Sequence, residues 1–87
     1  MNNIKILIAE DEEFIRKSLV NKVKMFFEQA IVYEAEDGRQ AEEIILSFKP
    51  DIVLTDIRIP YLSGLELMKR CNVKCKFIVI SAYSDFD

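Results

Sequence analysis

Ile4-Lys5-Ile6-Leu7-Ile8-Ala9 is a short, mostly apolar run rich in β-branched residues, and it is closed by the acidic group Glu10-Asp11-Glu12. Such a run predicts a strand passing through a core. From Glu12 the period changes. Phe14, Ile15, Leu19, Val23, Phe26 and Phe27 recur at steps of three and four, while Arg16, Lys17, Asn21 and Lys24 take the other side, which predicts an amphipathic helix ending near Gln29. Ile31-Val32-Tyr33-Glu34-Ala35 reads as a second strand, less uniformly apolar than the first and therefore at a sheet edge. Asp37-Gly38-Arg39-Gln40 has the form of a helix start, with Asp37 as the cap and Gln40 reaching back. Ala41, Ile44, Ile45 and Phe48 form the stripe of that helix, and Pro50 forbids its continuation.

Asp51-Ile52-Val53-Leu54-Thr55 is the third predicted strand, and it ends on Asp56. A loop containing Pro60 follows. Ser63-Gly64-Leu65-Glu66 is a second capping box, opening a short helix whose apolar side takes in Leu65, Met68 and Cys71. Phe77-Ile78-Val79-Ile80 is the fourth strand, apolar enough to be covered on both faces. Strict alternation of strand and helix argues for parallel pairing through right-handed crossovers, an open α/β sheet. Ser84-Asp85-Phe86-Asp87 has the pattern of one more helix start, with no helix and no fifth strand after it. The expectation is a chain that stops before its domain is complete.

Composition narrows the function classes. Eighty-seven residues make at most one domain, and 51% apolar with 31% charged residues is the balance of an ordinary globular chain. A net charge of -3, with the 12 Lys and Arg residues scattered, argues against direct DNA binding or a membrane surface. No signal-peptide core or membrane-length apolar run opens the chain, so the expected location is cytoplasmic. Cys71 and Cys75 are the only cysteines and histidine is absent, which leaves no zinc set and no imidazole chemistry. The two thiols read as reduced and partly buried near a helix end. Any chemistry here belongs to carboxylates.

In an open parallel sheet, ligands sit at the carboxyl ends of the strands where the strand order reverses. Glu10 and Asp11 follow the first strand and Asp56 follows the third, so adjacency of those strands brings the three together. Like charges at one point raise each other's pKa, and a hard divalent ion such as Mg²⁺ removes the conflict. The bland alternative is that Asp11 or Glu12 merely favours the first helix through its dipole. Asp56 on a second strand end and Ser81 on a further one weigh against coincidence.

Taken in order, Glu10-Asp11, Asp56 within Asp51-Ile52-Val53-Leu54-Thr55-Asp56-Ile57-Arg58-Ile59-Pro60, the Ser63-Gly64 helix start and Ser81-Ala82 resemble the receiver domain of bacterial response regulators over the whole chain. The resemblance implies a flavodoxin-like sheet of order 2-1-3-4, with the fifth strand and last two helices absent, so that residues 1–87 are the N-terminal portion of one receiver domain. It implies Asp56 as the acceptor of a phosphoryl group from a sensor histidine kinase. Asp11 is implied as a direct Mg²⁺ ligand, Glu10 as a partner through water, and the Arg58 backbone carbonyl as a further ligand. Ser81 is implied as the switch hydroxyl and Ala82 as the small residue giving the phosphate access, while Tyr83, two beyond Ser81, reads equally as an influence on dephosphorylation or as an exposed aromatic with no role. Such a domain is not an enzyme beyond slow self-phosphorylation and self-dephosphorylation, and its DNA contacts are made by a separate effector domain.

Two positions depart from the family. Ser63 replaces the usual Asp before Gly64, a change that keeps a helix cap. The phosphate-binding lysine expected after a fifth strand has no counterpart, since Lys76 starts the fourth strand. A competing nucleotide-binding or hydrolase domain requires a glycine-rich turn where Ala9-Glu10-Asp11-Glu12 stands, and acids repel phosphate. A phosphatase of the haloacid-dehalogenase kind requires its Asp pair after the first strand rather than Asp56 two strands later. A receiver-like interaction module that takes no phosphate is the remaining alternative for this chain, with self-association or a domain-swapped dimer covering the bare fourth strand.

Overall fold

A computed structural model of the chain describes residues 3–71 and 75–80. Its elements alternate as β1 (Lys5–Ala9), α1 (Glu13–Phe26), β2 (Ile31–Ala35), α2 (Gly38–Phe48), β3 (Ile52–Asp56), α3 (Gly64–Arg70) and β4 (Lys76–Ile80). All neighbouring strands pair in parallel, in the order β2-β1-β3-β4. The inner strand β1 is buried on both faces, which is why its apolar residues run without interruption. Leu7 and Ala9 point to one side, into a core completed by Ala41 and Ile45 of α2 and by Leu67 and Cys71 at α3. Ile6 and Ile8 point to the other, against Val20 of α1.

Strand β2 is an edge, as its mixed composition predicted, and Ile31 is exposed there. Asp37 caps α2, its Oδ1 accepting from Gln40 N at 2.9 Å. The Gln40 side chain reaches back one residue further than the cap and accepts from Glu36 N at 2.9 Å. After Phe48 the chain turns left-handed at Lys49 (φ 51°) and enters the buried Pro50. Ser63 forms a complete capping box with Glu66, so its exchange for Asp leaves the α3 start intact.

The helix stripes differ in part from expectation, and Phe48, placed on the α2 stripe, is 48% exposed. Helix α1 stops at Phe26, where Phe27 N bonds back to Val23 O, short of the predicted end near Gln29. Phe14 and Phe26 are exposed and Phe27 half so, whereas Arg16, assigned to the polar side, is buried with Val20. Two residues turn a helix by about 200°, so a stripe through Arg16 and Val20 excludes Phe14. In α3 the buried side chain is Leu67, while Leu65 and Met68 look outward; Cys71, just past the helix, is buried as expected. Strand β4 also carries less cover than its composition predicted, with Ile78 46% exposed. Both thiols are free, Cys71 buried and Cys75 partly so, and burial pushes both above their ordinary range. No helix among the described residues is long and apolar enough to cross a membrane.

Candidate phosphoacceptor and cation site

The register of the two inner strands builds the site. Ala9 pairs with Thr55, so the next residues, Glu10 and Asp56, emerge side by side at the carboxyl end of the sheet. Chain reversal at Asp11 then brings a third carboxylate to the same point. Oxygens of Glu10, Asp11 and Asp56 lie within 4.8 Å of one another. Glu10 and Asp56 are each 1% exposed, while Asp11 faces solvent. This is the cluster expected from the sequence. Dipole service alone does not account for it, because the N-cap residue Glu12 makes no side-chain cap bond and its N–H instead donates to Glu10 Oε2 at 2.9 Å.

The electrostatics indicate what would suit the cluster. Burial, partly offset by the Glu12 N–H and reinforced by the carboxyls of Asp11 and Asp56, raises the Glu10 pKa to about 7. Glu10 Oε1 and Asp56 Oδ2 are buried and accept no hydrogen bond from any described residue. Buried acceptors in that condition are rare and unfavourable. Oxygen ligands of this charge and spacing suit a hard divalent cation such as Mg²⁺, which is held by one or two carboxylates with other oxygens completing the set. The donor set fits the ion.

Three local devices hold Asp56 in place. The Thr55 hydroxyl, fully buried, donates to the Asp56 carbonyl at 2.9 Å. Gly64 N donates to Ile57 O at 3.1 Å, and a Cβ on Gly64 would stand 2.7 Å from Asp56 O, so only glycine lets α3 start this close to β3. Arg58 N approaches Asp56 Oδ1 at 3.4 Å. The loop between them leans on α2: Gly38 N donates to Pro60 O at 2.9 Å, and the Arg39 guanidinium lies 4.2 Å from the centre of the Tyr61 ring. Sequence reasoning missed Thr55, Gly38 and Arg16. For Arg16 the one hint was its place three and four residues before Leu19 and Val20, a hint that the adjacent cation Lys17 blurs.

Ser81, Ala82 and Tyr83, together with the expected helix start at Ser84, lie outside the described residues. Strand β4, which precedes them, pairs Ile80 with Asp56. Lys76 pairs with Ile52 at the start of β3, the far end from the acidic cluster.

The topology and the carboxylates together define an open parallel α/β domain with an acidic site at its topological switch point. The response regulator receiver domain model matches residues 6–87. An uncharacterized response regulatory protein of Staphylococcus epidermidis is 35% identical over 85 residues, and the transcriptional regulatory protein HptR of Staphylococcus aureus is 33% identical over 85 residues. Each of these alignments covers 95% of this chain and 34% of the relative, so the chain spans about a third of their length. Among solved structures, the N-terminal domain of an uncharacterized protein from Wolinella succinogenes superposes with a TM-score of 0.82 at 39% identity, over 94% of this chain and 67% of that one. A two component transcriptional regulator AraC from Clostridium phytofermentans superposes equally well, at a TM-score of 0.82 and 32% identity, over 95% of this chain and 67% of its own. The chain belongs to the response regulator receiver domain family, a family of signalling domains.

Proposed function

We propose that Asp56 is the phosphoacceptor of this receiver, taking a phosphoryl group from a phosphohistidine on a sensor histidine kinase. The observation that carries the reading is the convergence of Glu10, Asp11 and Asp56 with two buried carboxylate oxygens that have no donor among the described residues. In the transfer an Asp56 oxygen bonds to phosphorus as the P–N bond breaks, and the imidazole leaves with its electron pair. Asp56 is held for that attack by Thr55 on its carbonyl and by the Gly64 contact behind it. Positioning matters because phosphoryl transfer asks for alignment and charge neutralisation rather than covalent help. Asp11 and Asp56, the Arg58 carbonyl, and Glu10 through water would hold Mg²⁺. Bound there, Mg²⁺ neutralises the phosphoryl oxygens.

Ser81 serves as the switch hydroxyl and Ala82 leaves room for the phosphate, on the strength of the family pattern. Residues 1–87 form the N-terminal portion of one receiver domain in a longer cytoplasmic regulator. Its DNA contacts belong to a separate effector domain, a reading supported by relatives named as transcriptional regulators. By itself the domain does no more than slow self-phosphorylation from small donors and slow self-dephosphorylation. Self-association through β4, where Ile78 is exposed, is the expected behaviour of the isolated chain at high concentration. The test is intact mass after incubation with a small acyl phosphate, with Mg²⁺ or with a chelator, on this chain and on a form extended as far as its relatives. A phosphoryl adduct that requires Mg²⁺ supports the proposal, and no adduct on the extended form overturns it.

A further inference from the structure

Behind the acidic turn lies a buried cation to which the proposed transfer gives no part. Arg16 of α1 is 6% exposed. Its Nη1 donates to the backbone carbonyl of Glu10 at 3.0 Å, and its Nε donates to Glu34 Oε1 on β2 at 2.9 Å. The other Nη lies 3.9 Å from Glu36. Glu10 N meanwhile donates to Ala35 O at 3.0 Å, so the residue that opens the acidic turn is pinned from both sides of its backbone.

The division of those contacts is informative. The positive charge of Arg16 is matched by Glu34, whose carboxyl also accepts from Lys17 at 3.1 Å. Burial acts to raise the Glu34 pKa, and the two cations outweigh it and hold that carboxyl below its ordinary range. Toward Glu10, by contrast, Arg16 reaches only the neutral carbonyl in the bond the structure gives it. The turn is thereby fixed while the Glu10 and Asp11 carboxylates stay available to a cation. A planar fork serving separated acceptors is something the point charge of lysine does not reproduce.

We infer that Arg16 is a positioning residue for the cation site: it holds the Glu10 backbone so that the carboxylates of Glu10 and Asp11 face Asp56, and Glu34 holds Arg16. This rests on the reading of the cluster as a Mg²⁺ site. Residues that orient ligands from behind typically change metal affinity by about 10–100-fold when removed.

Mg²⁺ affinity of the 87-residue chain, measured by titration calorimetry where urea unfolding shows each protein folded, tests the role. Arg16→Met is expected to bind about 10-fold more weakly than wild type, and Arg16→Lys and Glu34→Gln to fall between. Arg70→Met removes an arginine paired with Glu42, which is not one of the clustered carboxylates, and is expected to bind as wild type does. In Mg²⁺-free spectra the amide resonances of Glu10, Asp11 and Glu12 are expected to move in Arg16→Met. Should Arg16→Met fail to fold, Arg16→Lys and Glu34→Gln carry the comparison. Arg16 variants that lose stability yet bind Mg²⁺ like wild type overturn the positioning role and leave the cation site standing. Wild-type protein that binds no Mg²⁺ overturns the cation site itself, and the positioning role with it.

Discussion

Glu10 carries the clearest conflict in the molecule. With a pKa of about 7 in the folded chain against an ordinary 4.5, it keeps its proton over a range in which the unfolded chain has released it. The folded state then binds more protons, so the stability of the Mg²⁺-free chain is expected to fall as pH rises from about 4.5 to about 7 and to level off above. Urea unfolding at pH 5 and pH 8 checks this, and Glu10→Gln is expected to flatten the difference. Saturating Mg²⁺ is expected to restore the stability lost at pH 8, since binding to the folded state alone stabilises it. A chain equally stable at both pH values without Mg²⁺ would contradict the assignment of Glu10. At this scale the sequence was readable where chemistry and strand ends coincided, as at Glu10, Asp11 and Asp56. It was not readable at Arg16, because an arginine within an amphipathic helix normally faces water and its burial depends on Glu34, on a different element.

Close approach of elements, more than the apolar content of each, sets the site. A Cβ on Gly38 would run into Leu62 Cβ and stand 2.8 Å from the Leu62 backbone N and O. Gly38→Ala is therefore expected to cost about 1–3 kcal/mol of stability by pushing the loop that bears Arg58 away from α2. Gly64→Ala is expected to cost a similar amount, about 1–3 kcal/mol, and in addition to weaken Mg²⁺ binding, because the atom displaced is the Asp56 carbonyl. Equilibrium unfolding with a parallel Mg²⁺ titration separates the two effects, and full stability in either variant would show that the packing there is looser than described. Element identities and caps were legible from period and capping chemistry: Asp37 and Ser63 both cap as expected. The phase of α1 and α3 was not. Phe14, Leu65 and Met68 are apolar without being buried, and apolar periodicity alone cannot say which of two adjacent faces meets the sheet.

For the whole molecule, the sheet is the scaffold on which everything else depends. Alternation of strands and helices implied a parallel open sheet, but the order β2-β1-β3-β4 came from family resemblance, since local pattern carries no information on which strands are neighbours. That order places β1 beside β3 and thus Glu10 beside Asp56. Leu7, fully buried at the centre of β1, is expected to lose about 2–5 kcal/mol on change to Ala, read from urea unfolding. The acceptor role of Asp56 is tested most directly by locating the phosphoryl group. After incubation with Mg²⁺ and a small acyl phosphate, borohydride reduction converts a phosphorylated aspartate to homoserine, and peptide mass spectrometry reads the position. Homoserine at position 56, absent from Asp56→Asn and from samples without Mg²⁺, is the expected result. Homoserine at another aspartate, or a phosphoryl adduct that persists in Asp56→Asn, would contradict it.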